Sequence, residues 1–193
     1  MASRAQQVGI WVIAGVLTVG TLGSFVIGIL ANDNQAKDTA TQQSTYEKQL
    51  AEYTAQQKKA AEENAANSEP LDGYSASTFD AASVTALQKE ILVAGTGDEV
   101  KMTDSINASY FGWTSDGKIF DSSNKKDAND APVTFSLSGV IKGWTEGLTG
   151  QRVGSTIKLT IPADLGYGAT GSGVIPANAP LVFIVTIHKI DNK

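Results

Sequence analysis

The chain has 193 residues, a formal charge of −5, one histidine and no cysteine. The missing cysteine excludes disulfides, a thiolate nucleophile and cysteine-ligated zinc, and the absence of any basic stripe excludes the electrostatic footprint of a nucleic-acid-binding protein. Charge is unevenly placed, +1 over residues 1–31 and −3 over each of 32–70 and 71–193, and the three zones differ in texture as well.

Residues 8–31 form 24 consecutive positions without a charge, enough at about 1.5 Å per residue to cross a hydrocarbon core of about 30 Å. The run predicts a transmembrane helix. A cleaved signal peptide has an apolar core of only about 7–15 residues ending at a small-x-small site, and Ile29-Leu30-Ala31 fits such a site poorly. Arg4 precedes the span and Asp33 follows it. The positive-inside rule then leaves residues 1–7 in the cytoplasm and the rest of a single-pass protein outside the cell membrane. Gly20, Ser24 and Gly28 repeat a small residue every fourth position, a spacing that lets two such helices approach closely.

Residues 32–70 contain no glycine, a single proline at the end and one large aliphatic residue, Leu50. Tyr46, Leu50, Tyr53, Gln57 and Ala60 alternate spacings of four and three, the seam of a short coiled coil. Gln and Ala make that seam weak, so the expected element is a solvated, partly helical stalk. Having no apolar residues to give to a core, it leaves residues 71–193 as the expected independently folding domain.

Beyond Pro70, β-branched and aromatic residues alternate and glycines punctuate the runs. Strands are expected at 91–93, 106–113, 156–161 and 181–190, with Asp116-Gly117 as a hairpin turn. The one short helix is expected over 144–151, between glycines. These elements predict an α+β domain, a small antiparallel sheet curved around one short helix.

Reactive side chains are few. Any Ser-His-Asp arrangement would have to use His188, yet alternation along 183–190 puts His188 with Ile184 and Thr186 on the face opposite Phe183, Val185 and Ile187, the better core candidates. Carboxylates are scattered through turns without metal-ligand spacing, and Gly166-Tyr167-Gly168 lacks the surroundings of a phosphate loop. Neither a metal nor a cofactor is called for. What stands out instead is a concentration of aromatic residues, Tyr110, Phe111, Trp113, Phe120, Phe135, Trp144, Tyr167 and Phe183.

The contexts of those aromatics carry a resemblance. Asp116-Gly117-Lys118-Ile119-Phe120-Asp121-Ser122-Ser123, Val140-Ile141-Lys142-Gly143-Trp144, Ile161-Pro162, Tyr167-Gly168-Ala169-Thr170-Gly171, and Val174-Ile175-Pro176 followed by Leu181-Val182-Phe183 are similar, in order and spacing, to the FKBP-type peptidyl-prolyl cis-trans isomerases. The resemblance covers residues 87–190 and leaves the first 70 outside it. It implies a twisted antiparallel sheet wrapped around a short helix, with a proline-binding pocket between them. Trp144 would be the pocket floor, and Tyr110, Phe120, Ile141, Tyr167 and Phe183 its walls. The Ile141 N–H and the Tyr167 hydroxyl would bind substrate carbonyls, and Asp121 would sit at the rim beside the rotating amide. Val133, Val140, Val174 and Ile175 complete the implied substrate-contacting set. Proline-containing polypeptides are the implied substrates, macrolide inhibitors an implied ligand class, and the membrane a partner through residues 8–31. The other reading of the same pocket is a non-catalytic binding or chaperone-like module.

The chain departs from the family pattern at several positions. A longer loop, residues 124–131, separates the Phe120-Asp121 strand from Pro132-Val133-Thr134-Phe135, where Val133 replaces a pocket aromatic. Lys125 or Lys126 stands in for the usual arginine near Asp121, and lysine does not reproduce a guanidinium's planar fork. The loop between Tyr167 and Ile175 is shorter, and Ser109 stands where histidine is frequent.

Overall fold

The computed structural model describes residues 36–128 and 130–191. No helix among the described residues is long and apolar enough to cross a membrane; the span expected over 8–31 lies outside them.

The first element among the described residues is a long helix, α1 (Ala36–Asn67). Its Ala, Gln, Glu and Lys are strong helix formers, and no glycine or proline interrupts them. Leu50 and Tyr53 of the expected seam are 39% and 42% exposed. From residue 45 on, where burial is described, the buried stripe is confined to the last turns, Ala61, Asn64 and Ser68, at the three-and-four spacing that shares one helix face. The carbonyls left open at the helix end find donors in the loop after residue 123: Lys126 N donates to Asn67 O (3.0 Å) and Lys126 Nζ to Ala66 O (2.7 Å).

Six strands among the described residues form one antiparallel sheet: β1 (Gln88–Val93), β2 (Ser105–Thr114), β3 (Ile119–Ser122), β4 (Val133–Ser136), β5 (Thr156–Ile161) and β6 (Leu181–Ile190). They lie in the order β1-β5-β6-β2-β3, and β4 pairs with the first half of β2. The expected Asp116-Gly117 turn joins β2 to β3, with Gly117 at φ 79° and Gly117 N donating to Thr114 O (2.9 Å). β3 and β4 are too short to show an alternation of their own.

Both faces of the central β6–β2 pair are covered. On the inner face Phe183, Val185 and Ile187 join the main core, as their alternation predicts. On the outer face Val182 and Ile184 are buried too, against Phe111, Trp113, Leu71, Tyr74 and Phe79. The segment after α1 is therefore the lid of a second apolar layer, pinned where Trp113 Nε1 donates to Ser77 O (2.9 Å).

The short helix α2 (Lys142–Leu148) starts two residues before the expected 144–151 and stops three residues sooner. Thr149 leaves helical conformation (φ −60°, ψ 131°), and Gly150, at φ 83°, donates its N–H to Val100 O (2.8 Å). The chain is thus pulled off the helix axis by a tertiary bond that periodicity does not contain. Gly143 and Gly147, one turn apart, let α2 lie directly on β5. A Cβ on Gly147 would stand 2.8 Å from Leu159 Cδ2, and one on Gly143 would overlap Ile161 Cγ2. That close approach lowers Trp144 into the sheet.

Candidate functional site

The site is assembled around a missing side chain. Gly112 on β2 faces Phe183 on β6 and Asp121 on β3. Over its bare Cα the rings of Phe120 and Phe183 meet edge to face, centroids 5.4 Å apart; a Cβ there would stand 2.5 Å from Phe183 Cε1 and 2.6 Å from Phe120 Cζ. Gly112→Ala forces one ring out of its place. It is expected to cost about 1–3 kcal/mol in urea unfolding, as overpacking does, and to lower activity with it. Unchanged stability would show that the rings can yield.

Trp144 enters from α2 and is fully buried. Its indole meets Phe183 (5.4 Å, 83°), Tyr110 (5.4 Å, 84°) and Phe135 (5.2 Å, 74°), and Tyr110 meets Phe135 (5.4 Å, 76°), each in the edge-to-face arrangement that ring quadrupoles favour. Trp144 Nε1 has no hydrogen-bond partner among the described residues, so the floor presents rings rather than a polar network. Ile141, Tyr167 and Ile175 belong to the same buried cluster, and Val133, Val140 and Val174 pack half-buried against it. Ten of the eleven sequence-derived positions thus share one cluster, and the eleventh, Asp121, touches it through the Tyr110 hydroxyl. Ile141 is the N-cap of α2: its carbonyl accepts from Trp144 N (2.9 Å) and Thr145 N (3.2 Å), while its own N–H has no acceptor among the described residues. An open N–H at a helix start is ready to take a carbonyl. Burial, and secondarily Asp121, push both the Tyr167 and Tyr110 phenols well above their ordinary pKa, which keeps their hydroxyls protonated donors.

Asp121 differs from the expectation. Instead of a rim position it is 0% exposed. Oδ2 accepts from Tyr110 OH (2.6 Å), and Oδ1 from Ser122 N (2.9 Å), Asn64 Nδ2 (2.9 Å) and Lys125 Nζ (3.3 Å). The end of α1 and the loop carrying Lys125 cover it. Burial raises the Asp121 carboxyl above its usual pKa, against the pull of Lys125, Asn64 and Tyr110; burial likewise lowers the Lys125 ammonium against the pull of Asp121. Of the two lysines offered by the sequence, Lys125 is the one that meets Asp121, while Lys126 caps α1. Phe135 stands among the concentrated aromatics of the sequence but outside the substrate-contacting set that the resemblance implies; Asn64 carries no signal in the sequence at all.

A second polar group lies on the outer face. Ser109 Oγ donates to Asp130 Oδ2 (2.5 Å) and lies 2.8 Å from His188 Nε2. A hydroxyl has one proton. With that proton directed at Asp130, Ser109 is left to accept from the imidazole, the reverse of a nucleophile-and-base pair, in which the histidine stands between serine and carboxylate. These residues line a wide cleft of about 820 Å³ shared with Glu69, Asp72, Lys126 and Asp127, away from the aromatic cluster. His188 is exposed, as its alternation predicts. His188→Gln should therefore leave the activity that the sequence resemblance implies within about twofold, the scale of a surface substitution; a hundredfold loss would bring acid-base chemistry back.

Residues 97–188 match the family model described as FKBP-type peptidyl-prolyl cis-trans isomerase. The FK506-binding protein of Neisseria meningitidis serogroup A is 42% identical over 102 residues, 52% of this chain and 93% of that one. FkpA of Escherichia coli K12, an FKBP-type peptidyl-prolyl cis-trans isomerase, is 38% identical over 131 residues, 68% of this chain and 47% of that one. This chain spans less than half the length of such longer relatives. Among solved structures, a peptidyl-prolyl cis-trans isomerase from Pseudomonas syringae superposes with a TM-score of 0.50 at 29% identity, covering 72% of this chain and 96% of that one.

Proposed function

We infer that this chain, which belongs to the FKBP-type peptidyl-prolyl cis-trans isomerase family, catalyses rotation about Xaa-Pro bonds in the aromatic pocket over Trp144. The observation that carries the reading is the ring cluster closed around Trp144 beside the open N–H of Ile141. A peptide bond resists rotation by about 18–20 kcal/mol, because resonance gives C–N double-bond character and places negative charge on oxygen. Water stabilises that planar, charge-separated form. An apolar enclosure does so less, which narrows the gap to the twisted amide. Trp144 supplies the floor under the prolyl ring, with Tyr110, Phe120, Ile141, Tyr167 and Phe183 as walls and Val133, Val140, Val174 and Ile175 toward the flanking residues. The Ile141 N–H and Tyr167 hydroxyl hold flanking carbonyls while the bond turns. No covalent intermediate is involved.

The test is a protease-coupled or proline-limited refolding assay on the full chain. Uncatalysed isomerisation takes tens to hundreds of seconds, and catalytic amounts should shorten it. A chain that binds proline-containing peptides without accelerating the assay would be a binding or chaperone-like module instead. A macrolide should compete for the same pocket, a proposal supported by the relative named for FK506 binding.

Residues 8–31, uncharged and flanked by Arg4 and Asp33, support the further proposal of a single-pass anchor in the cell membrane. The domain of residues 71–193, with the end of α1 docked on it, would then act outside, on proline-containing polypeptides emerging there. Resistance of the membrane-bound chain to alkaline extraction, with the domain open to protease from outside, checks both halves.

A further inference from the structure

We propose that Asn64, on the last turns of the stalk helix, is a positioning residue of the isomerase site, holding Asp121 and through it the Tyr110 wall of the prolyl pocket. The inference rests on the isomerase reading above. Asn64 Nδ2 donates to Asp121 Oδ1 (2.9 Å), while Asn64 Oδ1 accepts from Lys125 Nζ (2.7 Å). Chemistry fixes that orientation of the amide. The flipped form would set oxygen against carboxylate and NH₂ against ammonium. From Asp121 the path is short: its Oδ2 receives the Tyr110 hydroxyl, and the Tyr110 ring lies edge-on to Trp144.

A lysine alone does not hold a carboxylate plane. Its ammonium is a compact charge, here 3.3 Å from Asp121 Oδ1 and also donating to Ser68 Oγ (2.9 Å), whereas a guanidinium offers two donors in one fixed fork. Asn64 supplies the second directed donor from a chain segment 57 residues away. Two segments together thus present to Asp121 what one arginine would.

The attachment is that of a strut rather than a hinge. The end of α1 is held by Lys126 N donating to Asn67 O, by Glu69 N donating to Asn124 O (3.0 Å) and by Asn67 Nδ2 donating to Asp127 Oδ1 (2.8 Å). On the other flank Ala61 lies where Gly173 has no side chain; a Cβ on Gly173 would stand 2.7 Å from that of Ala61. α1 thereby spans from β3 to the loop that carries Val174 and Ile175. Residues 124–127 provide its dock.

The experiment measures kcat/KM of the full chain across pH, together with the titration of the Asp121 carboxyl by its carbon-13 shift. Asn64→Leu removes the donor. Asn64→Ala also removes it, without setting a bulky hydrocarbon side chain against two charges, so it keeps the test open should the leucine variant not fold. A hydrogen bond to the carboxylate favours its charged form. Losing it should move the Asp121 titration, and the acid limb of kcat/KM, to higher pH, with kcat/KM near neutrality falling roughly tenfold as for one charge-assisted bond. Lys125→Arg in the Asn64→Leu background should restore both, because its fork replaces the lost donor. The proposal is overturned if both variants keep kcat/KM within about twofold and leave the Asp121 titration unmoved. It is equally overturned if kcat/KM rises, which would make α1 a cover over the pocket. A native chain without isomerase activity would defeat the functional reading alone, since the Asp121 titration would still decide whether Asn64 holds it.

Discussion

Phe183→Ala is expected to remove about 3–5 kcal/mol of unfolding free energy and the isomerase activity with it. The ring is fully buried and touches Trp144 on one side and Phe120 on the other, both edge to face at 5.4 Å. Beneath it lies Gly112, with no side chain to move into the space. The neighbours are rigid rings on a strand and a helix, so the cavity stays open. That resistance to collapse is what places a deletion at the upper end of the measured range. Domain stabilities run about 5–15 kcal/mol, so the variant should fold only marginally. Urea unfolding gives the stability, and the refolding assay in the presence of the remaining folded fraction gives the activity. A loss below about 1 kcal/mol would mean that Phe183 lines a void already open, a pocket wall without a core role.

How far the sequence revealed this arrangement depended on the distance over which each feature is decided. The Asp116-Gly117 turn is local, since a residue at φ 79° after an aspartate is a property of two neighbours, and it lies where the pattern puts it. The alternation of Phe183, Val185 and Ile187 is equally local and marks the inner face. The outer face escaped because its cover comes from Leu71, Tyr74 and Phe79, spaced too irregularly to read as an element. The helix end slipped because Gly150 is held by Val100, fifty residues away, and not by helix propensity. The longer 124–131 loop was legible only as a departure. The structure gives it a purpose, with Lys125 turned to Asp121 and Lys126 to the end of α1. Asn64 was hidden most deeply. In a run of alanine, glutamate and asparagine it resembles any solvated helix residue, and hydrophobic periodicity cannot register a polar side chain buried against a carboxylate.

That burial also changes what Asp121→Leu should do. At the rim position that the family resemblance implies, the substitution would nearly preserve volume and cost activity with only a modest effect on unfolding. In the structure it strands four partners at once, the Ser122 N–H among them. The Lys125 side chain is 10% exposed and loses its counter-charge, the Tyr110 hydroxyl loses its acceptor, and Asn64 faces hydrocarbon. Removing one member of a buried ion pair costs about 3–5 kcal/mol, mostly through the uncompensated charge left behind. Asp121→Leu should thus be as destabilising as Phe183→Ala, for an electrostatic reason instead of a cavity. The two are separated by a second substitution. Lys125→Met added to Asp121→Leu removes the stranded charge, and replacing a whole buried pair with apolar residues is often close to neutral, so urea unfolding of the double variant should recover much of the loss. Activity should not return, because the Tyr110 hydroxyl still lacks the acceptor that fixes its ring against Trp144. If the double variant recovers activity along with stability, Asp121 serves the fold only and the pocket needs nothing from it; if it recovers neither, the cost lies in Tyr110 and Asn64 and not in the charge of Lys125.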